Sequence, residues 1–297
     1  MKMMKTVTVL VLGVLLLPRP AHAWGGEAHQ FIMDRTIALL PAELRPFFEK
    51  YRTTLVEHVN DPDLWQNAGF DNEESPNHFL DIDWEGYGPF PFAGLPRDYE
   101  AAVQKFGTDR VRQQGLLPWR AAEFHGNLRR AFERYQAQGP FGRFNILHFA
   151  AWLTHYVSDA NQPMHGVVNY NGQLTGQTGV HVRFEAMLFE RYRDRLQIAP
   201  PTIAPITAPR DFVFDTLIEG TKLVPVLLKA DQDAIGARDT YDAAYYEAFF
   251  GGARAVMEQR LSRSIATAAA MITGAWQAAG RPPVPLSLPE PVQRRRR

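Results

Sequence analysis

The stretch Thr154–His165, "THYVSDANQPMH", sets two histidines around an aspartate in an otherwise apolar neighbourhood. His155 and Asp159 are four residues apart, so on a helix they share one face. Pro163 ends such a helix, and the turn beyond it brings His165 back toward that face. Farther on, "HVRFE" repeats the spacing with His181 and Glu185. Two helices then offer three imidazoles and two carboxylates, a set of nitrogen and oxygen donors that suits zinc. A single His-x-x-x-Asp is usually a local ion pair. Two such pairs beside a third histidine, on a helix apolar nearly all round, point to a metal, because unpaired ionisable groups are costly there.

More donors lie upstream. His29 sits on the first helical run, "NDPDLW" supplies Asp61 and Asp63, and "SPNHFLDID" supplies His78, with Asp81 and Asp83 expected as exposed loop carboxylates. Cleavage of a leader before Trp24 would make Trp24 the amino terminus. A free α-amino group has a pKa of about 7.7–8.0, so a metal could deprotonate it near neutral pH. Of the nine histidines, His22 falls in that leader, five take motif positions, and His58, His125 and His148 are left over. His58 and His125 are expected at the surface, His148 packed in the core.

The pair "HYVSDANQPMH" and "HVRFE" resembles the zinc-dependent phospholipase C family, which includes the bacterial phosphatidylcholine-hydrolysing enzymes and the clostridial alpha-toxin, with fungal single-strand zinc nucleases as distant cousins. The resemblance runs from Trp24 to about Glu185, and more loosely to about residue 279. It implies an all-α fold, a compact multi-helix bundle of the phospholipase C and zinc nuclease type, holding three zinc ions (Zn2+). By that resemblance Trp24 and His29 hold one ion, Asp63, His78 and His155 a second, and His165, His181 and Glu185 the third, with Asp159 bridging the first two. Asp61 is the alternative to Asp63.

Clustered zinc lowers the pKa of bound water and neutralises charge on a phosphate ester, so phosphodiester hydrolysis is the matching chemistry. Asp63 is the first candidate base. Glu27 is the second, because the family's phospholipases carry a glutamate there; its other reading is a first-turn acid that favours a helix N-terminus. The expected activity is therefore a zinc-dependent phospholipase C that cleaves the glycerol-side phosphodiester and leaves diacylglycerol and a phosphorylated head group. The substrate would be a phospholipid at a membrane surface, with no stable nucleic-acid partner. The alternatives are a single-strand nuclease or nucleotidase and a non-catalytic zinc-binding protein. Leu64 and Ser75 stand where the choline-preferring enzymes carry aromatics, which places choline preference in question.

The elements that must position these groups read as helix. Apolar residues recur at helical spacing in 27–40, 117–138, 144–160 and 179–196, and helical regions follow near 211–230 and 240–279. Run 144–160 is apolar on nearly every side and belongs in the centre. Loop 84–96 is rich in Gly, Pro and aromatics and could press against lipid or pack on its own protein; loop 169–179 is polar. Residues 1–23 read as a secretory leader, with Lys2 and Lys5 before an apolar run and small residues at Ala21 and Ala23. The expected location is secreted or periplasmic, with no membrane span in the mature form. Removing Lys2, Lys5 and Arg19 leaves 29 basic against 32 acidic side chains, and cysteine is absent, so packing or metals must supply the stability that disulfides give other exported proteins. Residues 24–280 are expected to form one zinc-dependent phosphodiesterase domain, and 281–297, rich in Pro and Arg, a disordered tail.

Overall fold

The computed structural model describes residues 24–136 and 141–286. The leader expected over 1–23 and residues 287–297 of the tail lie outside these. The described residues form an all-α bundle without strands. Its helices in chain order are α1 (Gly26–Ala38), α2 (Arg45–Lys50), α3 (Arg52–His58), α4 (Asp61–Trp65), α5 (Asp71–Glu74), α6 (Tyr99–Phe106), α7 (Thr108–Gln114), α8 (Leu117–Gln136), α9 (Gly142–Asn161), α10 (Val180–Val182), α11 (Phe189–Tyr192), α12 (Pro209–Thr221), α13 (Val224–Ile235) and α14 (Ala243–Ala278). Among them no helix is long and apolar enough to cross a membrane.

Helix α9 is the axis of the bundle, as its apolar circumference demands. It is buried almost continuously from Ile146 to Asn161 and packs against α8, α14, α3, α1 and α12. α1 joins two apolar clusters: Met33 and Ile37 enter the one around α8 and α9, Ala28 and Ile32 the one around α13 and α14. The 36-residue α14 spans both. Asp242 caps its start by accepting a hydrogen bond from the Tyr245 amide at 2.8 Å, which satisfies one of the donors a helix N-terminus leaves open.

Helical region 211–230 divides into α12 and α13, and Pro225 opens the second helix, a position where its missing N–H costs nothing. The run 179–196 is less regular than its periodicity implies. After α10 the backbone widens into a π-helical stretch over Arg183–Leu188, returns to α11 and ends in a 3-10 turn, Arg193–Arg195. After α4 the chain kinks within Gln66–Phe70, where Gly69 at φ 96° leaves the helical range. The π-helical stretch Arg183–Leu188 contains the candidate ligand Glu185, and π-bulges often lie at functional sites.

Two extended segments brace the helices. Residues 196–208 cross α14 closely enough that a Cβ on Gly274 would lie 1.9 Å from the Ile206 carbonyl oxygen. The Ile206 amide donates to Ala270 O at 3.0 Å, and His125 Nε2–H donates to Ile206 O at 3.1 Å. His125 is therefore a buried brace and not the surface residue expected. The tail also begins later than expected: Trp276 Nε1–H donates to Pro282 O and Tyr135 OH to Pro285 O, each at 2.8 Å, with Val284 buried between. Loop 84–96 packs mostly on its own protein, with Tyr87 and Leu95 buried and Phe90 exposed.

Candidate metal centre

The candidate ligand residues come from separate segments that the bundle brings to one buried place. α1 carries His29, α4 carries Asp63, and the 3-10 turn Ser75–His78 carries His78. The C-terminal half of α9 carries His155 and Asp159, and the following turn, Pro163–Gly166, carries His165. His181 lies in α10 and Glu185 in the π stretch after it. Donor atoms of His29, Asp63 and His155, of His78, His155 and Asp159, and of His165, His181 and Glu185 converge in three buried groups, each within 4.8 Å.

Asp159 occupies the middle. Its Oδ1 lies 3.3 Å from His29 Nε2, and its Oδ2 lies 3.0 Å from His78 Nδ1 and 3.4 Å from His155 Nε2. Asp63 Oδ1 lies 3.6 Å from His155 Nε2 and 3.7 Å from His78 Nδ1. In the third group Glu185 Oε2 is 2.8 Å from His181 Nε2 and 3.7 Å from His165 Nε2. The groups adjoin, because His165 Nδ1–H donates to the His78 carbonyl at 2.6 Å.

Hydrogen bonds fix which nitrogen of each ring faces inward. A carbonyl only accepts, so a ring nitrogen bonded to one must carry the proton. His155 Nδ1–H donates to Val59 O at 2.9 Å, His165 Nδ1–H to His78 O, and His181 Nδ1–H to Tyr170 O at 3.0 Å. His29 obeys the same logic through Ser158. The Ser158 hydroxyl donates back to Thr154 O and His155 O, at 2.7 and 2.8 Å, so its oxygen accepts from His29 Nδ1–H at 3.0 Å. Each Nε2 therefore faces into the cluster, where it can bind a metal or, when protonated, donate to a carboxylate. His78 is reversed: its Nδ1 faces Asp159, and its Nε2 faces Glu74 Oε1 at 3.4 Å.

These residues fit a divalent metal. His165 Nε2 and His181 Nε2 lie 3.2 Å apart, a separation that needs a proton or a metal ion between the two nitrogens. Two nitrogens bound at about 2.0–2.1 Å to one tetrahedral zinc would lie about 3.3 Å apart. His29 Nε2, Asp159 Oδ1 and Glu185 Oε1 are buried and make no hydrogen bond, an expensive arrangement for polar atoms that no cation engages.

The electrostatics agree. Burial, reinforced by neighbouring carboxylates, pushes Asp63 and Asp159 well above the usual carboxylate range. Burial and the nearby His155 hold His29 well below the ordinary imidazole value. Burial raises Glu185, but the charge of His181 and hydrogen bonds from His165 and His181 outweigh it and bring it down to about 2. Burial alone would lower His181; the Glu185 charge reverses that and raises it. Several buried acids beside a cluster of imidazoles are stabilised when a cation is shared among them.

Trp24 lies against the same cluster. Its indole Nε1–H donates to Ser158 O at 2.9 Å, one residue before Asp159. Gly25 beside it admits no side chain, since a Cβ there would sit 2.8 Å from Ala186 Cβ. Asp61 does not join: its Oδ2 accepts from Trp152 Nε1–H and pairs with His58 Nδ1, both at 2.9 Å. Glu27 also stays outside. It is exposed and pairs with Arg193 at 2.9 Å, so the expectation that it is a base at the site is corrected. Residues two apart on a helix point about 200° apart, and since His29 faces in, Glu27 faces out. Asp81 and Asp83 are half-buried and not exposed as expected; Asp83 accepts from the Val168 amide at 2.7 Å.

Some supporting side chains went unnoticed in the sequence. Glu74 receives the Tyr156 hydroxyl proton and hydrogen bonds from Asn77 and Arg120, each at 3.2 Å, and so orients His78. Its signal was the same four-residue spacing, from Glu74 to His78. Gln162 donates to Glu185 Oε2 at 2.9 Å while its own oxygen accepts from the Met164 amide.

No family model matches the chain. In an alignment that covers 40% of its length, the chain is 31% identical to a probable serine protease of Bradyrhizobium tropiciagri. The chain spans about a fifth of that relative's length. The relative is named for peptide-bond cleavage and not for lipid cleavage, and this finding overturns the expectation of a phospholipase C.

Proposed function

We propose that this chain is a metal-dependent hydrolase that cleaves a phosphodiester bond, with zinc as the metal and up to three ions in the cluster. One observation carries the reading: five imidazoles and three carboxylates converge in burial, their donor atoms within 4.8 Å of one another in three groups. The resemblance of the ligand pattern to zinc phosphodiesterases supports it, without the lipid specificity. Bound divalent metals would supply water of lowered pKa and neutralise charge gathering on a phosphate ester.

The chain's own residues do the rest. His29, His155, His165 and His181 present Nε2, His78 presents Nδ1, and Asp159 lies between the first two groups. Asp63, which burial holds well above the usual carboxylate range, accepts the proton of the attacking water. The α-amino group of a Trp24 terminus would add a nitrogen beside His29. The carbonyls on Nδ1 of His155, His165 and His181, and the Ser158 hydroxyl on that of His29, hold these rings in one orientation, so little reorganisation is needed as charge develops.

Peptide hydrolysis is the second reading, favoured by the similarity to that protease. Ser158, His29 and Asp159 are within reach of one another, yet their polarity is wrong for a serine nucleophile. The Ser158 proton goes to the helix backbone and His29 donates to Ser158, whereas a catalytic histidine must accept from its serine. All three residues are also fully buried.

The test is a protein beginning at Trp24, analysed for metal content and assayed with bis(4-nitrophenyl) phosphate and fluorescent casein. We expect bound zinc, and diester turnover that disappears on chelation and in Asp159→Asn. Casein cleavage without diester turnover would replace the first reading by the second. A protein free of metal after growth and dialysis in zinc would end both the metal assignment and the mechanism.

A further inference from the structure

Arg183 lies between His181 and Glu185 but points away from them. Two residues from each along a helical path, it projects to the opposite side. There it meets Asp231 of α13, whose Oδ1 accepts from Arg183 Nε at 3.2 Å and from Nη2 at 3.0 Å. Both residues are buried. Tyr245 OH also donates to Asp231 Oδ1, and the Tyr241 ring lies 4.0 Å from the guanidinium. A desolvated ion pair of this kind is costly unless every donor is used, and here the remaining donors go to one place.

That place is loop 169–179. Arg183 Nη1 donates to Thr178 O at 3.0 Å, and Nη2 donates to Gln177 O at 3.2 Å. The Gln177 side chain reaches back to Asp231 Oδ2 at 2.8 Å and Leu228 O at 2.7 Å. The other end of the loop holds the Tyr170 carbonyl, which accepts from His181 Nδ1–H. Between the ends, the Gln177 amide donates to Gly172 O at 2.8 Å and the Gly179 amide to Asn171 O at 3.1 Å, so the loop moves as a unit.

We propose that Arg183 and Asp231 are a positioning pair for the group formed by His165, His181 and Glu185: they clamp loop 169–179 so that the Tyr170 carbonyl fixes the tautomer and aim of His181. The inference rests on the reading of that group as a metal site. It assigns α13 and α14, which supply no ligand, a part in setting metal affinity. Neither residue touches the metal-binding atoms; both act through the loop.

Asp231→Asn leaves the buried guanidinium without its counter-charge and is prone to misfold. The decisive variant is therefore Arg183→Met combined with Asp231→Leu, which removes both charges together. Arg195→Met with Glu247→Leu, which breaks an exposed pair, is the control. Three quantities are measured on zinc-loaded proteins: zinc per chain after dialysis, zinc affinity by competition with a chromogenic chelator, and amide hydrogen exchange across 169–179. We expect the double variant to keep its helical circular dichroism, to lose about one zinc per chain or bind its weakest zinc about 10- to 100-fold less tightly, and to exchange faster in the loop. The control should match wild type. A double variant with wild-type stoichiometry and affinity overturns the positioning role while leaving the metal reading intact. A wild-type protein that takes up no zinc removes the reading and the inference together.

Discussion

Asp81 is the carboxyl whose burial has the plainest consequence in solution. Its Oδ1 makes no hydrogen bond, and burial, aided by Asp83, raises it to about 7. An unfolded aspartate titrates near 3.9. Between those values the folded chain holds a proton that the unfolded chain has released, so stability falls as pH rises from about 4 to about 7 and is level above. Asp81→Asn removes that slope. We expect the variant to match wild type near pH 4 and to exceed it by about 2–4 kcal/mol at pH 8, read from denaturant melts at matched metal. A constant difference across pH would refute it. Glu74 tests the support of the metal in the same way. Glu74→Gln keeps the shape but removes the charge behind His78, and zinc affinity should fall about 10- to 100-fold in chelator competition. His155 with Asp159, and His181 with Glu185, are legible as pairs that converge, because a four-residue spacing on a helix is a geometric statement. Glu74 has that spacing to His78 as well, but Pro76 between them interrupts the helical pattern that makes the other pairs readable. Glu27 was misjudged because family position was followed and helical phase was not: His29 facing in already requires Glu27 facing out.

At the scale of elements, periodicity located the long helices, α1, α8, α9 and α14, because each must bury a stripe or its whole circumference. It did not show where helices widen. The kink after Asp63 and the π turn around Glu185 depend on packing from elsewhere, such as Ala186 against Gly25, and no local pattern encodes that. Segment 196–208 was also opaque, since a proline-rich stretch gives no periodic signal, although it lies tightly across α14. Gly274 shows how tightly. On propensity alone, Gly274→Ala should stabilise α14 by about 1 kcal/mol. At a crossing where the new Cβ would meet Ile206 O at 1.9 Å, the segment must move, straining its bonds to Ala270 and His125. We expect a net loss of about 1–3 kcal/mol, seen as a lower calorimetric midpoint. A higher midpoint would mean that the segment does not cross so closely.

For the whole molecule, the cluster joins parts of the chain that also meet through packing and a few hydrogen bonds, such as Trp24 to Ser158 and Trp152 to Asp61. α1, α4, the turn at His78, the end of α9 and the segment from His181 to Glu185 each contribute a donor. Cysteine is absent, so no covalent tie duplicates this one. In the apo chain, buried Asp63 and Asp159 must take up protons or repel each other, as their upward shifts indicate. Metal binding and folding are thus coupled. A site held at a hundredfold excess over its Kd adds about 2.7 kcal/mol, which for a chain of this size corresponds to roughly 5–10 °C in midpoint. Removing zinc with a chelator should lower the midpoint by at least that amount, and adding zinc back should restore it. The loss should be greatest at neutral pH, where apo carboxylates face ionisation, and smaller near pH 5, where protons replace part of the missing charge. Because zinc also binds less tightly as histidines protonate, the comparison needs apo protein at both pH values, followed by scanning calorimetry. An apo midpoint equal to the zinc-loaded one at neutral pH would mean that packing alone holds these segments, and that the cluster is a passenger of the bundle instead of one of its fastenings.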